Sequence, residues 1–365
     1  MKARLAVVVS GFPRTSETFA LGELVALARA GMLVRVYATK SGDGAAPQPG
    51  VDEVLPLLRV LPAGDAAQQA VAMVEDLGDA RVDGVHGYFA HRPAEVAALA
   101  AADLGVGFSF SVHALDARKV PAAELAGRAS AAAGVVACNS DVAHHVEVPG
   151  AQVHLLPHGV DLERFRPRPH PDGDERVRVL AVGRLVEKKG LSTLIGAVAR
   201  LQVPWMLRIV GTGAEHRRLA ASIDRHGLTD LVELVGRRSH NELPDDYAWA
   251  DVVAVPSVVD SGGDRDGLPN VALEAMASGR PMVVSDVAAL GDVARDAASG
   301  PVVPPGDAAA LADALTTLAV PEARAELGVA GRRYVEEHFD LAACTRRVVE
   351  HLELLHSGAL EPVDA

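Results

Sequence analysis

"RFRPRPHPDGDERVRVLAVGRLVEKKG", residues 164–190, decides how the chain is organised. Its first half sets Pro167, Pro169 and Pro171 among charges and a glycine, with no apolar periodicity. That composition reads as an interdomain linker. "VRVLAVG" (177–183) then begins a fresh apolar run that ends in glycine, followed by a helix-like segment. On either side of the linker the same alternation runs through the chain. Before it, strand candidates are "RLAVVVS" (4–10), "LVRVYA" (33–38), "GVHGYF" (84–89), "FSFSV" (108–112), "GVVAC" (134–138) and "QVHLL" (152–156). After it come "WMLRIVG" (205–211), "LVELVG" (231–236), "DVVAVPS" (251–257), "PMVVSD" (281–286) and "GPVVPP" (300–305). Ala-rich helical stretches lie between them, such as 16–31, where Thr15 or Ser16 can cap the start and Gly31 the end. Short apolar runs alternating with helices predict parallel, doubly wound sheets. The expected class is α/β with two Rossmann-like domains facing across a cleft. The expected bounds are 1–165 and 177–340, a linker at 166–176, and a helix within 341–365 returning toward the first domain.

Composition narrows the function. The 365 residues are 49% hydrophobic, enough for two cores, and carry a formal charge of −13. Phosphate-backbone binding needs clustered Lys and Arg, so a nucleic-acid partner is not expected. The opening "MKARLAVVVSGFPR" is too short an apolar run for a leader or a span and reads as a first buried strand. A cytoplasmic protein without stable membrane insertion is expected, peripheral association with the inner membrane face being left open. Cys138 and Cys344 form no CxxC and show no metal-ligand spacing, so neither disulfide nor metal site is expected. Oligomeric state is not legible.

In doubly wound sheets, ligands bind beyond the carboxyl ends of strands, so the residues after each apolar run matter most. Only five lysines occur in the chain, and Lys188 and Lys189 stand together shortly after Arg184. Arg184 and Lys189 can converge on a diphosphate beside a helix N-terminus, with Lys188 expected to point to solvent. Further on, "DRDGLPNVALEAMASGRPMVVSD" (264–286) places Asp266 before a Gly267-Leu268-Pro269 turn and a helix starting near Asn270. Its backbone N–H groups favour an anion. Glu274, one turn inside, can accept two hydrogen bonds from a vicinal diol such as a ribose. Taken singly, each also reads as ordinary structure: a solvated charge pair, a polar loop, a first-turn acid. A calcium loop over Asp260, Asp264 and Asp266 lacks the EF-hand spacing. The first half has no GxGxxG, which disfavours a dinucleotide dehydrogenase.

"GRLVEKKG", "DGLPNVALEAMASGRPMVVSD" and "GPVVPPGD", with "FSFSVHALD" (108–116) and "LLPHGVDLERFRP" (155–167) upstream, resemble the signature segments of glycosyltransferase family 4, retaining enzymes of the GT-B fold. "FPRTSETF" (12–19) resembles a branch associated with exopolysaccharide glycosyltransferases. The resemblance implies transfer of a sugar from a UDP- or GDP-linked donor to a saccharide or natural-product acceptor, without a metal or other cofactor. It implies that Arg184 and Lys189 hold the diphosphate and that Glu274 binds the ribose. Asp266 would contact the donor sugar with the N–H groups of Gly267, Leu268 and Asn270 around Pro269. His113 would reach that sugar from the first domain. Gly11 would bring the first loop toward the cleft, Arg14, Thr15, Ser16 and Glu17 would lie on the acceptor side, and Arg238 beside the base. Two departures stand out: Asp266 replaces a glutamate, and "VAALGDVARDAASG" (287–300) lacks the usual proline-glutamate. These keep two other readings open, a nucleotide-sugar-binding protein with impaired catalysis and a GT-B sugar phosphorylase.

Overall fold

The computed structural model describes residues 2–14, 18–43, 48–169 and 176–357. It divides into two compact units, one from the residues up to His158 together with those from Ala342 on, the other Gly159–Leu341. Each is built on one parallel sheet. The first holds β1 (Leu5–Phe12), β2 (Leu33–Ser41), β3 (Leu58–Val60), β4 (Gly84–Tyr88), β5 (Gly107–Val112), β6 (Gly134–Ala137) and β7 (Val153–Leu155), in the order β3-β2-β1-β4-β5-β6-β7. The second holds β8 (Val177–Val182), β9 (Trp205–Val210), β10 (Val232–Gly236), β11 (Val252–Val255), β12 (Met282–Ser285) and β13 (Val302–Val303), ordered β10-β9-β8-β11-β12-β13. In both, the strand that opens the unit is central and strand order reverses beside it. That is the switch point where a crevice opens at the strand ends.

The apolar runs are continuous because helices cover both faces of each sheet. In β1, Leu5, Val7 and Val9 enter one core with Leu21, Leu24 and Leu27, while Ala6 and Val8 enter another with Met73, Ala97 and Phe110. The period of two sends alternate side chains to opposite layers. In the second unit, Val179 and Ala181 pack on Leu194 and Ile195, and Leu180 faces Leu273 and Met276.

Two segments depart from a simple division of the chain at the proline-rich stretch. The second unit starts ahead of the proline-rich stretch, because Val160 and Phe165 are buried in its core and Phe165 meets Tyr247 edge to face. The helix Leu341–His356 supplies Val348, Leu352 and Leu355 to the first unit's core, at the i, i+4, i+7 spacing of one helical face. Its His356 Nε2 lies 2.8 Å from Ser109 Oγ on β5. The Cβ of any residue but glycine at Gly84 would stand 1.9 Å from His356 Nδ1, so the sheet leaves room for that ring.

Candidate functional site

In the second unit the site is assembled at the reversal of strand order, between the ends of β8 and β11. Strand β8 stops at Val182 and the chain turns through a one-turn helix, Glu187–Lys189, into the helix Leu191–Val198. Gly190 carries the turn at φ 62°, where the Pro256 carbonyl oxygen would sit 1.8 Å from a Cβ. Only glycine allows so close an approach. The two loops are joined further by Val258 N–H donating to the Lys188 carbonyl at 2.8 Å.

Four charges interlock here. Lys189 Nζ lies 2.7 Å from Asp266 Oδ2, and Lys188 Nζ lies 2.9 Å from Asp264 Oδ2 and 3.4 Å from Asp266 Oδ1. Ser257 Oγ donates to Asp266 Oδ2 at 3.3 Å. Burial works against charge on Asp266, yet the two ammonium groups hold its carboxyl below the usual range. Lys188 does not point to solvent as its sequence context suggests. It is 6% exposed, buried beneath the loop that carries Asp264 and Asp266. Its expected freedom rested on the look of a surface Lys-Lys pair, and the acids that claim it lie more than seventy residues further along the chain. Asp260 turns its own loop, accepting from the N–H groups of Gly262 and Asp264 at 2.9 Å each.

Beyond Asp266, Gly267 and Pro269 are buried, Leu268 is half-buried, and the helix Asn270–Ala277 begins with no side chain capping it. Ala272 N–H donates to the Pro269 carbonyl at 3.0 Å, which leaves the N–H groups of Asn270 and Val271 for other acceptors. Glu274 is buried inside the helix and accepts from Tyr247 Oη at Oε2, 2.7 Å away. Burial raises its pKa to about 7, against the opposing pull of the Tyr247 hydrogen bond. His240 Nε2 stands 3.7 Å from the other oxygen, and burial together with Arg164 favours the neutral ring. Arg184 is exposed and makes no ion pair among the described residues. Arg238 pairs with Asp246 at 3.3 Å and reaches Glu242 at 3.8 Å. The fold thus brings Lys189, Asp266, Gly267 to Asn270 and Glu274 onto two adjoining loops and one helix.

The other predicted residues lie in the first unit. His113 follows β5 directly, with its ring 4.8 Å from Phe19, 4.9 Å from Phe89 and 5.1 Å from His158, nearly parallel to the last. Burial, then the neighbouring histidines, drive its pKa well down, so it is a neutral imidazole at pH 7. Gly11 is not in a loop: it lies inside β1, paired with Lys40, where a Cβ would stand 2.7 Å from the Ser41 carbonyl oxygen. Close strand packing accounts for that glycine. Arg14 accepts from Gln48 Nε2 through its carbonyl at 3.3 Å, while Thr15, Ser16 and Glu17 lie outside the described residues.

Sequence reasoning missed what surrounds His113. His158 Nδ1 is 3.2 Å from Glu23 Oε1, and the other Glu23 oxygen accepts from Tyr88 Oη. Burial disfavours charge on His158, but Cys138 and Glu23 lift its pKa to about 10, making it an imidazolium at neutral pH. Glu23 is buried on the helix after β1, Tyr88 ends β4 and His158 follows β7. The only signal in the sequence was position, since Tyr88 and His158 sit at or near strand ends, while Glu23 lies mid-helix and gives none.

With this geometry in hand, two family models match successive parts of the chain: Glycosyltransferase Family 4 over residues 16–164, and Glycosyl transferases group 1 over residues 176–320. Among curated proteins, the putative colanic acid biosynthesis glycosyltransferase WcaL of Escherichia coli is 33% identical over 212 residues, 57% of this chain and 52% of its own length. The amylovoran biosynthesis glycosyltransferase AmsK of Erwinia amylovora is 32% identical over 57% of this chain and 52% of its own length. A GDP-mannose-dependent phosphatidylinositol monomannoside mannosyltransferase of Mycobacterium tuberculosis is 34% identical over 51% and 52% respectively. The chain thus spans about half the length of the curated relatives it matches. Over almost the full chain, the fold is shared with HepE of Anabaena, solved in complex with UDP (TM-score 0.79, 16% identity, 96% of this chain and 99% of that one). The lipopolysaccharide-biosynthesis glycosyltransferase WaaG shares it too (TM-score 0.67, 18% identity, 95% and 99%). No helix among the described residues is long and apolar enough to cross a membrane. Two Rossmann-like domains of the GT-B class, carrying in order the family 4 and group 1 segments, place this chain among the family 4 glycosyltransferases.

Proposed function

We propose that the protein moves a glycosyl unit from a UDP- or GDP-linked sugar to a hydroxyl of a saccharide or natural-product acceptor, with retention at the anomeric carbon. The observation that carries this reading is the convergence of Lys189, the uncapped start of the helix Asn270–Ala277 and the buried Glu274 at one switch point. As the bond to the donor sugar breaks, negative charge develops on the departing diphosphate. Fixed cations and N–H groups aimed at it stabilise the transition state more than the ground state. Lys189 is held near that position by Asp266, and Arg184 has no competing partner among the described residues.

Glu274 offers Oε1 to a ribose diol, since Tyr247 occupies only Oε2. Asp266, kept ionised by two lysines, is suited to accept from a sugar hydroxyl. The resemblance gives neutral His113 a role toward the donor sugar, and gives Arg14 to Glu17 the acceptor side. No step in this scheme calls for a metal. A melting-temperature screen of UDP, GDP and other nucleoside diphosphates tests the donor site, and anomeric NMR of the product tests retention. Transfer with inversion, or absence of stabilisation by every nucleotide, would overturn the assignment. Binding without turnover on any acceptor would favour the catalytically impaired binder instead.

A further inference from the structure

We propose that His240, held by Arg164, determines specificity at the donor site: its ring N–H and the Glu274 carboxylate together read one hydroxyl of the donor's ribose. This rests on the reading of Glu274 as the ribose acid and adds a second contact, from the loop after β10.

Three elements of the second unit bring these groups together. His240 lies in the loop after β10, Glu274 inside the helix Asn270–Ala277, and Arg164 in a turn near the start of the unit. Asp161 Oδ1 fixes that turn, accepting from the N–H groups of Glu163 and Arg164 at 3.1 and 2.9 Å. The next residue, Phe165, is buried, with its ring 5.3 Å from that of His240 and edge to face with Tyr247. Tyr247 in turn holds Glu274 Oε2. The imidazole and the carboxylate are thus both positioned from behind by one aromatic pair.

The proton on His240 can be placed. Arg164 Nη1 lies 3.1 Å from His240 Nδ1. A guanidinium has only donors, so Nδ1 must accept and the ring proton sits on Nε2. Burial, then the Arg164 charge, disfavours a second proton on the ring, against a smaller opposite pull from Asp161. Nε2 is also the atom that faces Glu274 Oε1, 3.7 Å away, too far for a direct hydrogen bond. Oε1 accepts from no group among the described residues, and the His240 side chain is 39% exposed, so the pair is open to a ligand. An oxygen about 2.8 Å from each atom fits between them. A hydroxyl there accepts from Nε2–H and donates to Oε1, using both groups at once. A hydrogen in its place leaves a donor and a carboxylate oxygen unpaired, and that cost is the source of selectivity.

Two measurements test this. In the intact unliganded protein, ¹⁵N NMR should show His240 as the Nε2–H tautomer, and Arg164→Met should bring Nδ1–H into the mixture. Calorimetry then compares UDP and GDP with their 2′-deoxy and 3′-deoxy forms. The unaltered protein should bind the ribonucleotide about 10–100-fold more tightly than one of the deoxy forms. His240→Ala should lose most of that ratio through weaker ribonucleotide binding, with the deoxy form bound much as before. His240→Gln, which keeps an N–H donor, should restore part of it. A proton on Nδ1 in the unaltered protein, or an unchanged ratio in His240→Ala, would overturn the role of His240 and leave Glu274 as the ribose acid. If no nucleoside diphosphate binds the unaltered protein, or Glu274→Ala leaves its affinity unchanged, the donor-site reading falls and the His240 assignment with it. Should His240→Ala fail to fold by circular dichroism, the tautomer of the unaltered protein and the ratio in His240→Gln decide.

Discussion

Removing the Lys188 ammonium is the perturbation that best separates the structure from the plain look of the sequence. Lys188→Ala would leave Asp264 with no cation at 2.9 Å and Asp266 with Lys189 alone. Breaking a fully buried pair costs about 3–5 kcal/mol, because a desolvated charge is stranded. Two features reduce this. The Asp264 side chain keeps 28% of its exposure, so water can partly replace the ammonium. Lys189 continues to balance Asp266. A cost of about 1–3 kcal/mol follows, and a domain of this size loses about 2–4 °C in Tm per kcal/mol, giving about 2–12 °C. Differential scanning calorimetry of Lys188→Ala, Asp264→Asn and the double variant measures it as a cycle. The coupling should be about 0.5–3 kcal/mol and should persist in high salt, since buried pairs are weakly screened. A Lys188→Ala cost within about 0.5 kcal/mol, or coupling that vanishes with salt, would mean a solvated lysine and refute the reasoning.

Lys189→Ala should lower transfer by about 10²–10³-fold, the scale of losing one fixed donor to a developing anion, with Arg184→Ala in the same direction; unchanged initial rates for both would remove the diphosphate assignment. Glu274 has its folded pKa raised from 4.5 to about 7. The folded state therefore binds its proton more tightly, and this contribution is complete below pH 4.5 and lost as pH rises through about 7. It amounts to about 3 kcal/mol, and Glu274→Gln should flatten the fall of Tm with pH in that window. Donor affinity, read by calorimetry, should rise through the same window if the ribose requires the carboxylate. Leu352→Ala should cost about 2–5 kcal/mol by opening a cavity, with hydrogen exchange quickening in β1 and the helix Thr18–Arg29 rather than in the second unit.

What was legible in the sequence follows the range over which each signal acts. Strands such as β1 and β8 were readable because burial on both faces demands unbroken runs of Val, Leu and Ala. Glu274 could be placed on a helix just past a turn because Pro269 and Asn270 mark that start locally. Lys188 was misread because its burial depends on Asp264, and no local pattern reveals a partner so distant in sequence. Direction around a one-turn helix is also not set by any period. The loop role of Gly11 came from the family resemblance and not from a local pattern, and the chain stays paired with β2 through Phe12. The His113, Cys138 and His158 group has no motif spacing, since the intervals reflect the helices crossing between strands. Sheet order alone brings these residues together.

The helix Leu341–His356 has a consequence for the order in which the chain can fold during synthesis. The first unit is half of the sequence by count, yet its core lacks Val348, Leu352 and Leu355 until translation has passed His356. The second unit is continuous from Gly159 to Leu341, so every strand it needs has been made before that helix exists. Domains ordinarily mature in the order in which they leave the ribosome. Here the later one is the first that can be completed, and the earlier one must wait with an apolar layer exposed. Release of the nascent chain before residue 356 would therefore endanger the opposite end of the protein.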